Sequence, residues 1–423
     1  MANLSSPAAS RGRLAVLGAG VVGLCTALEA QRHGYAVTLI DRNPPGTGAS
    51  FGNAGYLATE LIDPLATPAT LASAPAMWLD PNGPLSLPLR YLPRALPWLT
   101  RFIRAAAPAA VAHSRAALTA LNRAAVPAWQ RCLDDIGATE QLVRSGYLLV
   151  WESPDKLEAA RAHARSLAQQ GIPTELLQGE ALAAKEPALA ERLSHALFFP
   201  NACRVRDPYQ LSLCLLAAFE ARGGQLLRQE IRNITPQAGR IQLETADGAS
   251  FHAEQAIICT GAWSKALLQQ VGLTVPLEAE RGYHLTIEAD HLTLNHPIGS
   301  AERRFVMSPL DSGLRVVGIT EIGGLSLPPL ARGFAALRHH SSQLLRHLAD
   351  PSLKISEWMG HRPTLPDSLP VIDRHPSHPR LLFAFGNQHL GLTQAAVSAE
   401  LVVSLLRGQP PAIDPAPFRV DRF

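Results

Sequence analysis

Three glycines, Gly18, Gly20 and Gly23, stand in the run "VLGAGVVGL" with the spacing G-x-G-x-x-G, and Asp41 closes the next apolar run. That pattern suits the holding of a dinucleotide. Gly18 permits a tight turn, Gly20 lets a pyrophosphate come close to the backbone, and Gly23 lets a helix pack against a strand. The helix opening at Val21 and Val22 offers backbone N–H donors and a positive dipole end to the phosphates. The Asp41 carboxylate, with Arg42 beside it, suits the ribose hydroxyls. NAD and FAD both fit this much.

The elements around these residues narrow the choice. "LAVLG" reads as a buried strand, "VGLCTALEAQRHG" as a helix stopped by Gly34, and "YAVTLIDR" as a second strand, which together make a βαβ unit. Two later segments repeat the design of apolar strand, glycine turn and helix: "IICTGAW" at Ile257–Trp263 and "FAFGNQHLG" at Phe383–Gly391. Ligands of a doubly wound sheet lie beyond the carboxyl ends of its strands. Three such ends along one long ligand favour FAD over NAD. A last helix near 392–407 would aim its N-terminus at the flavin pyrimidine ring and stabilise negative charge there.

The bulk properties exclude other classes. With 423 residues, 47% hydrophobic and 17% charged, the chain can bury a sizeable core and is long enough for two to three domains. A net charge of +3 without a Lys/Arg run gives no footing for nucleic acid. The five cysteines are scattered without a C-x-x-C pair, so no metal site or disulfide framework is expected, and reduced thiols point to the cytoplasm. The opening "MANLSSPAASRGR" has no apolar run and reads as a loose arm rather than a signal peptide. The charge-free stretch from Pro64 to Leu79 is too short and proline-broken to span a bilayer.

From Pro64 to Pro108 prolines are frequent, and "LPLRYLPRALPWLTRFIRA" mixes apolar residues with Arg90, Arg94, Arg101 and Arg104. It reads as an amphipathic helix broken at Pro93 and Pro97 that covers the substrate domain. The other reading is peripheral contact with the cytoplasmic membrane and delivery of electrons to quinone. Helices are expected at Ser114–Ile136, at Asp155–Gln170 and after Pro208, and a hairpin at Asp247-Gly248.

The run "WMGHRPTLPDSLPVID" at Trp358–Asp373, followed by "FAFGNQHLGLT", resembles the C-terminal signature of the D-amino-acid oxidase and dehydrogenase (DAO) flavoprotein family. "ASFGNAG" at 49–55 resembles the flavin-wrapping loop of its bacterial D-amino-acid dehydrogenase small-subunit-like branch, and "TGAWS" at 260–264 and "ERGYH" at 280–284 match as well. The resemblance runs from about Leu14 to the end. It implies an α/β, two-domain glutathione-reductase-type FAD-binding (Rossmann-like) fold with a mixed-sheet α+β substrate domain. The FAD-binding domain would be discontinuous, over 1–65, 195–275 and 355–423, with a cap over 66–194 and 276–354. The implied reaction oxidises the C–N bond of a D-amino acid, of D-proline or hydroxy-D-proline type among others, to the imino or keto acid. Hydride passes to flavin N5 and electrons then to quinone or another acceptor. The alternatives are a glycine- or sarcosine-type oxidase using O2, and a flavoprotein subunit without catalysis.

Residue by residue, the resemblance assigns Gly18, Gly20, Val21, Val22 and Gly23 to the pyrophosphate and Asp41 and Arg42 to the adenosine end. Ala49, Ser50, Asn53, Ala54 and Gly55 lie along the flavin. The Ile231 backbone meets the adenine, while Thr260, Gly261 and Trp263 flank the cofactor. Gly386, His389, Leu390, Gly391, Leu392 and Thr393 surround the ring. Arg362 grips the substrate carboxylate, a task that suits a guanidinium because it forks onto two oxygens and stays charged when buried. Relatives often carry a tyrosine in the strand before "SGLRVVG", where this chain has Phe305. Tyr283, His361, Tyr56 and Arg304 are the candidates to replace it. The residues that attach flavin covalently in sister families are missing, so FAD is expected to be non-covalent.

Overall fold

The computed structural model describes residues 11–189, 192–288 and 294–423. All but the last three residues of the N-terminal arm lie outside the described residues. The first strand, Arg13–Leu17, is buried along four of its five positions. Such continuous burial marks a strand covered on both faces, as in a parallel sheet. It leads through the helix Val21–Arg32 to the strand Ala36–Ile40. A six-stranded sheet forms in the order Gln225–Leu227, Ala36–Ile40, Arg13–Leu17, Gln255–Ile258, Leu381–Phe385 and Val371–Arg374. Every pairing is parallel except the last, so the carboxyl ends of Arg13–Leu17, Gln255–Ile258 and Leu381–Phe385 lie side by side. Beyond each stands a glycine of positive φ, at Gly18, Gly261 and Gly386 (+103°, +54° and +89°), where the chain turns sharply over the sheet edge.

The closing helix Gly391–Leu406 packs against Val21–Arg32 and against the long helix Pro108–Ile136. Trp129 of the long helix is fully buried and donates its indole N–H to the Leu392 carbonyl at 2.8 Å, which fixes the N-terminal turn of the closing helix. A three-stranded antiparallel sheet, Ile231–Gln237, Arg240–Thr245 and Ser250–Ala253, carries the Asp247-Gly248 turn. The stretch Gln388–Leu406 is long and apolar enough to cross a membrane, yet most of it is buried inside the fold.

A nine-stranded mixed sheet forms the second layer. Its order is Lys354–Thr364, Glu278–Glu288, Gly313–Ile322, Phe305–Leu310, Ile298–Ser300, Tyr147–Trp151, His195–Phe199 and Glu175–Gln178, with Leu85–Ser86 joining beside Gly313–Ile322. This corrects the expected boundaries at 195 and 355. His195–Phe199 pairs with Tyr147–Trp151, and Lys354–Thr364 pairs along its whole length with Glu278–Glu288, so both belong to the cap sheet. Backbone pairing decides the domain here, and it joins segments far apart in sequence.

A second correction concerns "LPLRYLPRALPWLTRFIRA". Leu92–Ala105 is one continuous helix with Pro93 in its first turn and Pro97 inside it. Pro93 removes an N–H that would lack a helical partner anyway, and Pro97 forfeits a single bond to the first turn. The helix is anchored by Trp98, which stacks on Phe102 and donates to the Thr364 carbonyl at 3.2 Å.

Candidate active site

The glycine turn is built for close approach. A Cβ on Gly18 would lie 2.5 Å from the Cys259 carbonyl oxygen, and one on Gly23 would lie 1.8 Å from the Gly18 carbonyl oxygen. Helix and strand therefore meet backbone to backbone, which leaves the helix N-terminus open to a ligand. Ser50 Oγ accepts from the Val21 N–H at 3.0 Å and ties the 49–55 loop to that helix. Asp41 sits at the end of the second strand, where its carboxylate accepts from the N–H groups of Ala19 (2.8 Å) and Asn43 (2.9 Å).

One continuous cavity of about 1020 Å³ starts here. It passes Asp41, Arg42 and Ile231, then Gly18, Gly20, Val21 and Val22, and continues along Ala49, Ser50, Asn53 and Ala54. Thr260, Gly261 and Trp263 form one wall, and Gly386, His389, Gly391 and Leu392 another, with His361 and Arg362 in the roof. Pockets for small ligands usually run to about 300–1,000 Å³, so this one is large and elongated enough for a dinucleotide with a substrate beyond it. Gly18, whose Cβ position is filled by the Cys259 backbone, and Gly20 line its phosphate end, and helix N-termini meet it at both ends. The residues present fit FAD on these grounds. Gly23, Gly55, Leu390 and Thr393 stand behind the wall rather than on it. Gly55 takes φ +75° against Leu310. Thr393 Oγ1 accepts from the Ala58 N–H at 3.0 Å.

Arg362 comes from Lys354–Thr364 and lies across the bare backbone of Gly282 on the neighbouring strand. A Cβ on Gly282 would sit 2.4 Å from the guanidinium carbon. Its Nη1 donates to Glu280 Oε1 at 2.7 Å and reaches the Ile319 carbonyl at 3.5 Å. Glu280 also accepts from Thr364 Oγ1 (3.0 Å) and Thr320 Oγ1 (3.1 Å). Burial alone would raise the Glu280 pKa, but the Arg362 charge and hydrogen bond outweigh it and hold the carboxyl below its usual range. With Nη1 pinned, the Nε–Nη2 edge has no hydrogen-bond partner among the described residues. That edge can take a carboxylate with two parallel bonds. His389, on the turn before the closing helix, is pushed down to about 4 by burial and is neutral at pH 7.

The structure removes Tyr283 from the site. Its side chain is 1% exposed, its ring packs edge-on to Phe334, its hydroxyl donates to Glu321, and the Leu330 N–H donates to it at 3.0 Å. Side chains alternate along a strand. Glu280 and Gly282 face the cavity, so Arg281 and Tyr283 face away, and Arg281 forms a fully buried ion pair with Glu321 at 3.0 Å. His361 sets its ring edge-on to Trp263, with centroids 5.5 Å apart, and burial lowers its pKa. Tyr56, Arg304 and Phe305 line the cavity.

Sequence reading missed three residues that shape the site. Arg315 is 2% exposed and donates Nη1 to the carbonyls of Phe51 (2.8 Å) and Asn53 (3.0 Å), with Nε on Thr286 Oγ1 at 2.9 Å. It thereby clamps the loop expected along the flavin. Arg315→Met should leave those carbonyls buried without donors and weaken FAD retention by about tenfold or more, measured as flavin released on dilution. Equal retention would count against the clamp. Trp358 stacks on His284 (5.0 Å between centroids) and fills the space a Cβ would need on Gly52 or Gly360.

The third is Glu60, 8% exposed on the cavity wall, whose pKa burial raises to about 7. An acid with a raised folded pKa stabilises the fold while protonated. That contribution is lost as pH climbs from the usual carboxylate range through about 7. Glu60→Gln should therefore melt several degrees above wild type at pH 8, from about 2–3 kcal/mol, and about equally at pH 4. Thermal scans at both pH values check this, and an equal shift at both would contradict it.

Comparison with known proteins places these features in context. The family profile described as "FAD dependent oxidoreductase" (DAO) matches residues 13–405. The chain is 32% identical over 415 residues to a D-amino-acid oxidase of Bradyrhizobium diazoefficiens, covering 97% of this chain and 98% of that protein. It is 30% identical over 435 residues to a D-amino acid dehydrogenase of Cereibacter sphaeroides, covering 97% and 95%. Among solved structures, glycine oxidase from Geobacillus kaustophilus superposes with a TM-score of 0.74 at 22% identity, covering 97% and 99% of the two chains. L-proline dehydrogenase from P. horikoshii does so at 0.74 with 18% identity, covering 98% of each. These two likenesses speak for the fold alone.

Proposed function

Since the chain belongs to the DAO family of FAD dependent oxidoreductases, we propose that it oxidises the C–N bond of a D-amino acid, giving an imino acid that water hydrolyses to the keto acid. Cyclic secondary amines of the D-proline type are included. The observation that carries this reading is the pinned Arg362, whose Nε–Nη2 edge remains for a carboxylate in the same cavity as the flavin-binding turns. Two curated relatives named D-amino-acid oxidase and D-amino acid dehydrogenase support it.

Bound FAD supplies the hydride acceptor. The protein's part is to bind and orient. Arg362 fixes the carboxylate and with it the direction of the Cα–H, and positioning of this kind can supply much of a rate enhancement. Glu280 keeps the guanidinium from turning. The N-terminus of Gly391–Leu406 favours negative charge at its end of the cavity, and neutral His389 adds no charge there.

For the acceptor we propose a quinone, reached from a peripheral position on the cytoplasmic membrane. Leu89, Leu96 and Ile103 are exposed at seven-residue intervals, and Arg90, Arg94, Arg101 and Arg104 share their segment. The same helix lines the cavity through Trp98, Leu99 and Phe102. The name of the 32% identical relative favours a second reading, direct reoxidation by O2. Anaerobic reduction by a panel of D- and L-amino acids and secondary amines tests the reaction, and admitting air or a soluble quinone then separates the acceptors. Fast reoxidation in air would overturn the quinone reading, and a flavin that no amino acid reduces would overturn the reaction itself.

A further inference from the structure

Resting on that reading, we infer that Glu60, Tyr56 and Tyr147 form a cation-binding corner of the substrate cavity, which takes the positively charged side chain of a basic D-amino acid. All three line the cavity that holds Arg362. Tyr56 and Tyr147 are stacked, with centroids 4.2 Å apart and planes at 16°. The buried Tyr56 hydroxyl lies beside the Glu60 carboxylate with no hydrogen bond of good geometry among the described residues, and the Tyr147 hydroxyl occupies the space a Cβ would need on Gly299. A carboxylate beside stacked aromatic rings offers both Coulombic and cation–π attraction.

Two other buried carboxylates of this region are ion-paired, Glu280 with Arg362 and Glu321 with Arg281. Glu60 has no ion-pair partner among the described residues, and burying an unpaired carboxylate is costly. A cation brought by the substrate resolves this. That cation is not the α-ammonium. The α-ammonium stands one carbon from a carboxylate held by Arg362, whereas burial and Tyr56, with no guanidinium, set the Glu60 environment. The titratable and charged groups near the other end, Glu280, His389 and Arg362, interact with one another instead.

The test compares D-lysine with D-norleucine, which lacks the terminal ammonium, as kcat/KM for anaerobic flavin reduction in the yellow holoenzyme. Wild type should prefer D-lysine by about tenfold or more. Glu60→Gln should bring the ratio to about one, and Glu60→Asp should restore part of it. Flavin content and melting temperature report whether each variant folds. A wild type that does not prefer D-lysine overturns the inference. So does a Glu60→Gln variant in which both substrates fall by the same factor, the result expected of a structural role or of α-ammonium binding. Failure of the proposed reaction looks different: neither amino acid would reduce the wild-type flavin.

Discussion

Arg362→Ala should lower kcat/KM for D-amino acids by about a thousandfold while the purified protein stays yellow. The guanidinium is held on one side by Glu280 at 2.7 Å and by its seat on Gly282. Its remaining edge can give a carboxylate two charge-assisted bonds inside the cavity. Truncating one partner of a buried charged pair costs about 3–5 kcal/mol, which at about 1.4 kcal/mol per tenfold spans roughly two to four decades in rate. The loss falls on kcat as well as KM, because the same contact fixes the angle of the Cα–H. Arg362→Lys keeps the charge but loses the fork, so it should fall between wild type and alanine. The alanine variant also strands Glu280 as a buried, unpaired carboxylate and should melt lower, and adding Glu280→Gln should recover stability without recovering turnover. Steady-state kinetics and thermal melts on the four proteins check this. Unchanged kcat/KM in Arg362→Ala would mean that the carboxylate binds elsewhere.

Gly23→Ala should yield protein with less than about a tenth of wild-type flavin. Its new Cβ would stand 1.8 Å from the Gly18 carbonyl oxygen, a backbone atom that no rotamer change can move aside. The helix Val21–Arg32 would have to lift from the strand Arg13–Leu17. That would carry the N–H groups of its first turn away from the phosphates and break the Val21–Ser50 bond. Small core insertions typically cost about 1–3 kcal/mol, so the chain should still fold while the cradle is lost. Visible absorbance per protein measures the loss, with circular dichroism to establish folding. Full flavin content would show that the glycine is not needed for close packing.

Much of the nucleotide half is legible in sequence because its signals are local. Gly18, Gly261 and Gly386 each follow a buried strand and each turns the chain with positive φ. Their strands prove to be neighbours in one parallel sheet. The cap half is legible only in part. Whether Lys354–Thr364 belongs to one sheet or the other depends on pairing with a strand about eighty residues earlier, and periodicity carries no record of a partner. The face of "ERGYH" is not legible for the same reason: alternation gives two phases, and contact of Gly282 and Glu280 with Arg362 selects the one that hides Tyr283. Arg315 and Glu60 have no motif around them. Their importance comes from burial by distant segments, Phe51 and Asn53 for the one and the cavity wall for the other. Pro97 shows the opposite failure, a strong local breaker overridden where Trp98 anchors the helix to the cap.

The most direct test of the central claim is an anaerobic titration of the purified, yellow protein with D-amino acids and their L enantiomers, followed by flavin absorbance. The account predicts that D enantiomers bleach the flavin stoichiometrically in wild type and fail to do so at the same concentrations in Arg362→Ala. A colourless protein that takes up no FAD, or a flavin bleached by L enantiomers alone, would contradict it.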